Sequence, residues 1–306
     1  MGRAVCVAID QCANNSLVTG YLRVRRNKLS TKRLPVKPNQ NGTVPTPVVF
    51  SISHFEEMSK IVTGEAYIKA ITSLESDRRA RCAFRTLAQR IASPGAAIYD
   101  FGAGPGLDAR FYAECGFRVA AYDVDPAMRE SFTVHCRDFI ESGQVALDMG
   151  SYREFLAGNS IVGNGSIDVI TSNFAPLNLV EELHELFARF HALTGPNGQV
   201  LASVISPYWV RDLKCGWWWR NTLRLWRDGY YYVPGATAPT VRRRLANYVT
   251  QSAPYFSLER VYPGMPANNT QSMLGTDVSR GNRYAWLHLT RWQFMFLQFR
   301  KRKTPP

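Results

Sequence analysis

Three glycines and a handful of carboxylates carry the chemistry available to this sequence. Residues 97–108 read Ala-Ile-Tyr-Asp-Phe-Gly-Ala-Gly-Pro-Gly-Leu-Asp. Asp100 is thus followed at alternate positions by Gly102, Gly104 and Gly106. Glycine tolerates positive φ and lets a backbone approach a ligand closely. Apolar residues 97–99 have the character of a buried parallel strand, and helical spacing begins at Leu107. A strand, a glycine turn and a helix form a nucleotide site at the carboxyl edge of a doubly wound sheet. A dinucleotide fingerprint, G-x-G-x-x-G, would need its third glycine at 107, where the chain has leucine; the third glycine comes one residue early, at Gly106. Asp100 would also repel a pyrophosphate, whereas it suits a ligand carrying an ammonium group.

Two further acids fall at strand ends. A strand over 117–122 finishes in Asp123, 21 residues beyond Gly102, where this kind of fold sets an acid on ribose hydroxyls. Asp125-Pro126 fits the cap and first position of the next helix, which leaves Asp123 and the adjoining Val124 for a ligand. The spacing D-x-G-x-G-x-G followed by Asp108 resembles motif I of the class I S-adenosylmethionine-dependent methyltransferases. Their donor has an α-ammonium, a sulfonium and no phosphate, in keeping with the acidic turn. The resemblance covers about residues 53–301. It implies a doubly wound, seven-stranded, mostly parallel α/β sheet with an antiparallel last strand. It also implies S-adenosyl-L-methionine as cofactor, held by Asp100, Gly102, Gly104, Gly106, Asp123 and Val124. A third strand over 144–147 ends in Asp148 and Met149, which the resemblance sets against the adenine, and Asn173, at the end of a fourth strand over 167–173, completes the cofactor set.

The stretch Ser172-Asn173-Phe174-Ala175-Pro176-Leu177-Asn178 lies where donor meets acceptor. It is not the Asn-Pro-Pro-Tyr motif with which some family members grip an amide or exocyclic amine. It looks more like a variant found among bacterial small-molecule methyltransferases. Residues 206–250 then break the strand–helix rhythm with a crowd of Trp and Tyr interleaved with Arg. An insertion after strand five is where the family builds its acceptor cap. Trp209, Trp217 and Arg220 are candidates there to wall and charge-pair an acceptor, and Tyr67 is a candidate lid residue on the helices before motif I. The run Arg242-Arg243-Arg244 adds further cations for a carboxylate or phosphate. A structural aromatic cluster, a patch resting on a membrane surface and stacking of single-stranded nucleic acid are the competing readings. Strands at 256–262 and 294–299 complete the sheet.

These elements imply methyl transfer by in-line displacement, on oxygen, to a small aromatic or acidic metabolite, free or bound to a carrier protein. A NAD-linked oxidoreductase would share the fold but is opposed by the glycine spacing and Asp100. An RNA methyltransferase or a non-catalytic S-adenosylmethionine-binding protein would also carry such a turn. No histidine among His54, His135, His184, His191 and His288 lies in a motif that names it a base, so no catalytic residue is assigned.

Composition narrows the classes further. The net charge of +13 concentrates at the ends: residues 1–50 carry eight Lys/Arg and one acid, and 278–306 carry seven and none. The segment between is almost neutral, which demotes nucleic acid as a partner. Residues 1–50, with four prolines after position 34, read as a basic, disordered arm. They are native, a targeting arm or the product of an overlong gene model, with the folded protein starting near Ser51; the methyltransferase domain is expected over 51–306. Six scattered cysteines without a C-x-x-C pair argue against a metal site or disulfide framework and fit a reducing, cytoplasmic setting. No apolar run approaches the ~20 residues that span a bilayer.

Overall fold

The computed structural model describes residues 68, 75–233, 239–264, 276–277 and 292–303, all within a compact unit spanning Phe55–Pro306. The arm expected over 1–50, the lid candidate Tyr67, His54 and His288 lie outside the described residues.

The described chain starts with helix α1 (Glu75–Ile91). Strand β1 (Ala97–Phe101) then leads through the glycine turn into α2 (Leu107–Glu114). Gly116, at φ 86°, terminates that helix as its sequence position suggests. Next come β2 (Arg118–Tyr122), α3 (Pro126–His135), α4 (Arg137–Glu141) and β3 (Val145–Asp148). Asp125 caps α3 by accepting the Ala127 N–H, with Pro126 at the first helical position. The chain continues through α5 (Tyr152–Leu156), β4 (Ile167–Ser172), α6 (Leu183–Leu193) and β5 (Thr194–Ile205). It then forms α7 (Gly216–Asp228), β6 (Tyr230–Val233), β7 (Thr240–Arg243) and α8 (Leu245–Ser252), and closes with β8 (Phe256–Pro263), β9 (Thr276–Asp277) and β10 (Phe294–Lys301).

The sheet order is β3-β2-β1-β4-β5-β10-β8-β9. β1 to β5 run parallel, and β10 runs antiparallel to both β5 and β8. The seven expected strands are present in the order of the class I methyltransferase fold, and the two-residue β9 extends the edge beside β8. β6 and β7 form a separate hairpin in the segment after β5. Strand order reverses between β1 and β4, so a crevice opens beyond their carboxyl ends.

Side chains alternate across the sheet with the strand period of two. On one face Tyr99, Phe101, Val200, Ala202, Met295 and Leu297 pack with α6 and with Tyr248 of α8. On the other, Ile98, Leu201 and Phe296 pack with Phe84 and Leu87 of α1 and Tyr112 of α2. Phe84 meets Phe296 edge-on at 5.3 Å. Helix α6 begins at Leu183, after a 3-10 turn over Pro176–Asn178. No described helix is long and apolar enough to cross a membrane.

Candidate active site at the carboxyl edge of the sheet

The three glycines of the turn have positive φ, at 72°, 54° and 82° for Gly102, Gly104 and Gly106, but different surroundings. A Cβ on Gly102 would collide with Pro176 Cγ, and one on Gly106 would lie 2.7 Å from Cys136 Sγ. Gly104 faces open space. The first and third glycines therefore let neighbouring elements close up, and the middle one leaves a bare floor. The turn's N–H groups are already engaged. Gly102 and Ala103 donate to Tyr122 O, Gly104 to Asp123 Oδ2 and Gly106 to Ala103 O, while Pro105 has none. A turn so occupied lacks the free donors with which a pyrophosphate cradle works, which is the physical counterpart of the misplaced third glycine.

Asp100, at the end of β1, is buried. Its Oδ1 accepts from Thr171 Oγ1 at 2.9 Å, and its Oδ2 is buried with no hydrogen-bond partner among the described residues. Burial, followed by the nearby Asp108 charge, raises its pKa well above the carboxylate range. Asp108, on the first turn of α2, is equally buried but ion-paired. Arg81 Nη1 is 2.5 Å and Arg85 Nε 2.6 Å from its two oxygens, and Asn173 Nδ2 donates to Oδ2 at 3.0 Å. Burial pushes the Asp108 pKa up, but Arg81 and Arg85 together outweigh it and the group sits below its ordinary value. Helical spacing alone assigns both arginines to the face of α1 away from its apolar stripe; the structure turns them onto Asp108. Asn173 belongs to this cluster: it is buried, and its Oδ1 accepts the Phe174 N–H.

Asp123 spans the turn from the β2 side. Its Oδ2 accepts from Gly104 N at 2.7 Å and its Oδ1 from Asp125 N at 2.9 Å. Burial raises its pKa against those two hydrogen bonds. The carboxylate is thus partly engaged rather than wholly free, with one backbone donor per oxygen and lone pairs to spare. Asp148 is buried at the end of β3, with Gly150 N 3.3 Å from its Oδ1. β2 and β3 pair with Tyr122 opposite Asp148, which makes the residues just beyond them neighbours. Two of these residues are strongly exposed apolar side chains, Val124 at 61% and Met149 at 64%.

The strand-four turn has unusual backbone geometry. Phe174 and Ala175 have φ of 57° and 69°, consecutive left-handed conformations for residues with a Cβ. Their surroundings hold them there. The Arg81 guanidinium lies 4.4 Å over the Phe174 ring, Phe294 packs against that ring edge-on, and Pro176 abuts Gly102.

This turn is also where the insertion at 206–250 attaches. Asn178 Nδ2 donates to Val241 O of β7 at 2.6 Å, and Asn178 Oδ1 accepts from Ile205 N. Arg243 Nη1 donates to Leu177 O, and its Nη2 to Val180 O and Glu181 O. Arg242 is buried against Asp212 at 2.6 Å and donates to Ser206 O. Arg243 therefore fastens the insertion to the strand-four turn and Arg242 ties it internally, and neither is free to grip an anion. Their place in a run of three arginines suggests exposed cations, but carbonyls distant in sequence receive them.

The consecutive tryptophans sort themselves. Trp217 is half-buried between Tyr231, 6.1 Å away, and the Arg242 guanidinium, 5.4 Å from its ring. Trp218 Nε1 donates to Pro207 O, whereas Trp219 faces outward. Trp209, half-buried, carries the Arg211 guanidinium at 5.8 Å. Arg220 is exposed, one turn along α7 from Trp217. Of the described histidines, His184 and His191 both pack against Tyr255. Sequence reasoning missed Arg81 and Arg85, and it noted Asp108 after the glycine motif without giving it a partner. The only sequence signal was a second acid six residues past Gly102.

A sequence model of the family described as "Methyltransferase domain" matches residues 74–235, more than half of the chain. The chain belongs to that family and is a class I S-adenosylmethionine-dependent methyltransferase, an enzyme whose cofactor is S-adenosyl-L-methionine. Among solved structures it is similar to a protein from Listeria monocytogenes described as an S-adenosylmethionine-dependent methyltransferase. Identity is 13% over 74% of this chain and 99% of that one, with a TM-score of 0.51. It is also similar to the Burkholderia thailandensis 1,6-didemethyltoxoflavin-N1-methyltransferase, crystallised with 1,6-didemethyltoxoflavin and S-adenosylhomocysteine. There the identity is 16% over 84% of this chain and 93% of that one, with a TM-score of 0.50. At these identities the likeness is one of fold. No curated protein matches the chain.

Proposed function

We propose that this enzyme methylates an oxygen of a small aromatic or acidic metabolite, free or carried by a protein, and that the cap at 206–250 receives that acceptor. The observation behind this is a chain of contacts: Gly102 abuts Pro176, and Asn178 two residues on is hydrogen-bonded to Val241 of the cap. The aromatic insertion is thereby fixed to the same edge as the glycine turn. Trp209 and Trp217 are the proposed walls, and Arg220 the proposed cation for an acidic acceptor or its carrier.

The residues at the edge suit the cofactor. Asp100 has a buried carboxylate oxygen without a partner, a match for the ammonium end. Gly104 leaves its floor open, and Asp123 retains lone pairs for two ribose hydroxyls, interactions contributing about 1.5–3 kcal/mol with an ionised group. Asp148 is the proposed acceptor for the adenine amino group, between the exposed side chains of Val124 and Met149. Gly102, Gly106 and Asn173 act by shaping the turn. Bound S-adenosylmethionine supplies a methyl carbon already activated by its sulfonium. The protein's part is alignment, which can supply on the order of 7–11 kcal/mol.

Incubation with methyl-labelled S-adenosylmethionine and panels of phenols, carboxylic acids, carrier-bound acids and RNA tests the reading. Label should enter a phenol or an acid, and Trp217→Ala should raise the KM for that acceptor without changing cofactor affinity. Label in RNA alone would overturn it.

A further inference from the structure

Helix α7 has two opposite characters. Its inner side is packed: Leu225 is buried and Trp218 is hydrogen-bonded to Pro207. Its outer side carries Trp219, Leu223 and Trp226, which are 61%, 74% and 76% exposed. The spacing of these three, four then three residues apart, makes one continuous stripe. Each lies one residue before an arginine: Arg220, Arg224 and Arg227, all exposed. The arginines form a second stripe, roughly 100° around the helix from the first. The apolar stripe extends backwards, because Trp219 Nε1 donates to the carbonyl of exposed Leu213 at 2.9 Å.

Large exposed apolar side chains along one helix mark a surface built to be covered. The charge pattern selects the cover. Of the acids in this region, Asp212 is buried against Arg242 and Asp228 is held by Arg227, so the outward charge is positive. A second copy docked about a two-fold axis would set arginine against arginine. A convex row of protruding indoles and a leucine needs no pre-formed pocket if its partner is soft. A helix with Trp and Leu on one side and Arg beside them is the form that lies in a lipid–water interface. Tryptophan concentrates at that level, and each arginine near an anionic surface adds to attraction that salt screens.

We infer that α7 is a membrane-surface helix: the stripe Trp219-Leu223-Trp226 enters the headgroup region of an anionic lipid surface, and Arg224 engages its phosphates. This role is independent of the acceptor. It would let the enzyme work on molecules dissolved in, or delivered from, a bilayer.

Flotation of the full-length protein with vesicles of phosphatidylcholine, with and without phosphatidylglycerol, tests this. The protein should float with the anionic vesicles and much less with neutral ones, and added salt should release it. Trp219→Ser combined with Trp226→Ser should lower the bound fraction at least several-fold, and Arg224→Gln should lower it less. Both variants should keep wild-type S-adenosylmethionine affinity, which certifies folding. Absence of flotation, equal binding to both vesicle types, or binding unaltered in the double variant would overturn the inference. So would a dimer in light scattering that the double variant dissociates while vesicles bind neither protein.

Discussion

The sheet edge and the cap solve the same problem with opposite charges. At the edge, carboxylates collect backbone N–H groups: Asp123 takes those of Gly104 and Asp125, and Asp148 that of Gly150. In the cap, guanidinium groups give theirs to carbonyls: Arg242 to Ser206, Arg243 to Leu177, Val180 and Glu181. Each region has one buried ion pair at its centre, Asp108 with Arg81 and Arg85, and Asp212 with Arg242. The edge keeps one buried oxygen of Asp100 without a hydrogen-bond partner among the described residues. The cap commits Arg242 to its own Asp212 and Ser206 and Arg243 to carbonyls of the strand-four turn, and leaves Arg211, Arg220, Arg224 and Arg227 on the outside.

Removing the acid from each ion pair separates the two regions most strongly. Asp108→Asn leaves two half-buried guanidiniums, those of Arg81 and Arg85, without their acid, and Asp212→Asn strands the buried one of Arg242; loss of one partner of a buried pair costs about 3–5 kcal/mol. Both should lower the midpoint of chemical denaturation. Calorimetric titration should then find S-adenosylmethionine affinity reduced only by Asp108→Asn, since Asp212 belongs to the cap. If both variants weaken cofactor binding equally, the division between the regions fails.

Asp123→Ala comes next. Each hydrogen bond to an ionised acceptor contributes about 1.5–3 kcal/mol, so losing them should weaken cofactor affinity by at least roughly 10-fold, and the Gly104 and Asp125 N–H groups left without their acceptor should lower stability as well. Titration with NAD should show no binding to either protein.

Asp100 sharpens the comparison through pH. Its raised pKa means that it takes up a proton at a pH above the ordinary carboxylate range. The protonated form favours the fold, so its contribution to stability is present at low pH and declines as pH rises through the folded-state pKa. Cofactor affinity should move the other way, since an ammonium group needs the ionised form, and should weaken as pH falls through that same range. Asp100→Asn should flatten the affinity profile. A wild-type profile already flat would remove Asp100 from the ammonium site.

The smallest effect is expected at Met149. Met149→Ala should leave stability within about 0.5 kcal/mol, as for an exposed position, and still reduce cofactor affinity a few-fold by removing one wall of the proposed adenine slot. An unchanged affinity would leave Val124 as the sole apolar wall.

Local rules made much of the edge readable. The glycine spacing, the 21-residue step to Asp123 and the Asp125-Pro126 cap depend on neighbours within one strand–turn–helix unit, and the sheet order follows from the alternation of such units. Arg81 and Arg85 escaped because their partner is 27 and 23 residues away, and helical periodicity puts a charge opposite an apolar stripe by default. The Phe174-Ala175 turn escaped because positive φ is ordinarily announced by glycine or asparagine; here packing by Arg81, Phe294 and Gly102 enforces it. In the cap, the Arg242-Arg243-Arg244 run looked like one patch. Carbonyls from 60 or more residues away decide its direction at Arg243, and no periodicity encodes them.

The contact between Gly102 and Pro176 makes the glycine turn and the strand-four turn one mechanical part. Neither can shift without displacing the other, and an alanine at 102 would force both apart. Two ligands that each seat against one side of such a part are thermodynamically linked. Whatever factor the acceptor adds to the cofactor's affinity, the cofactor must add to the acceptor's.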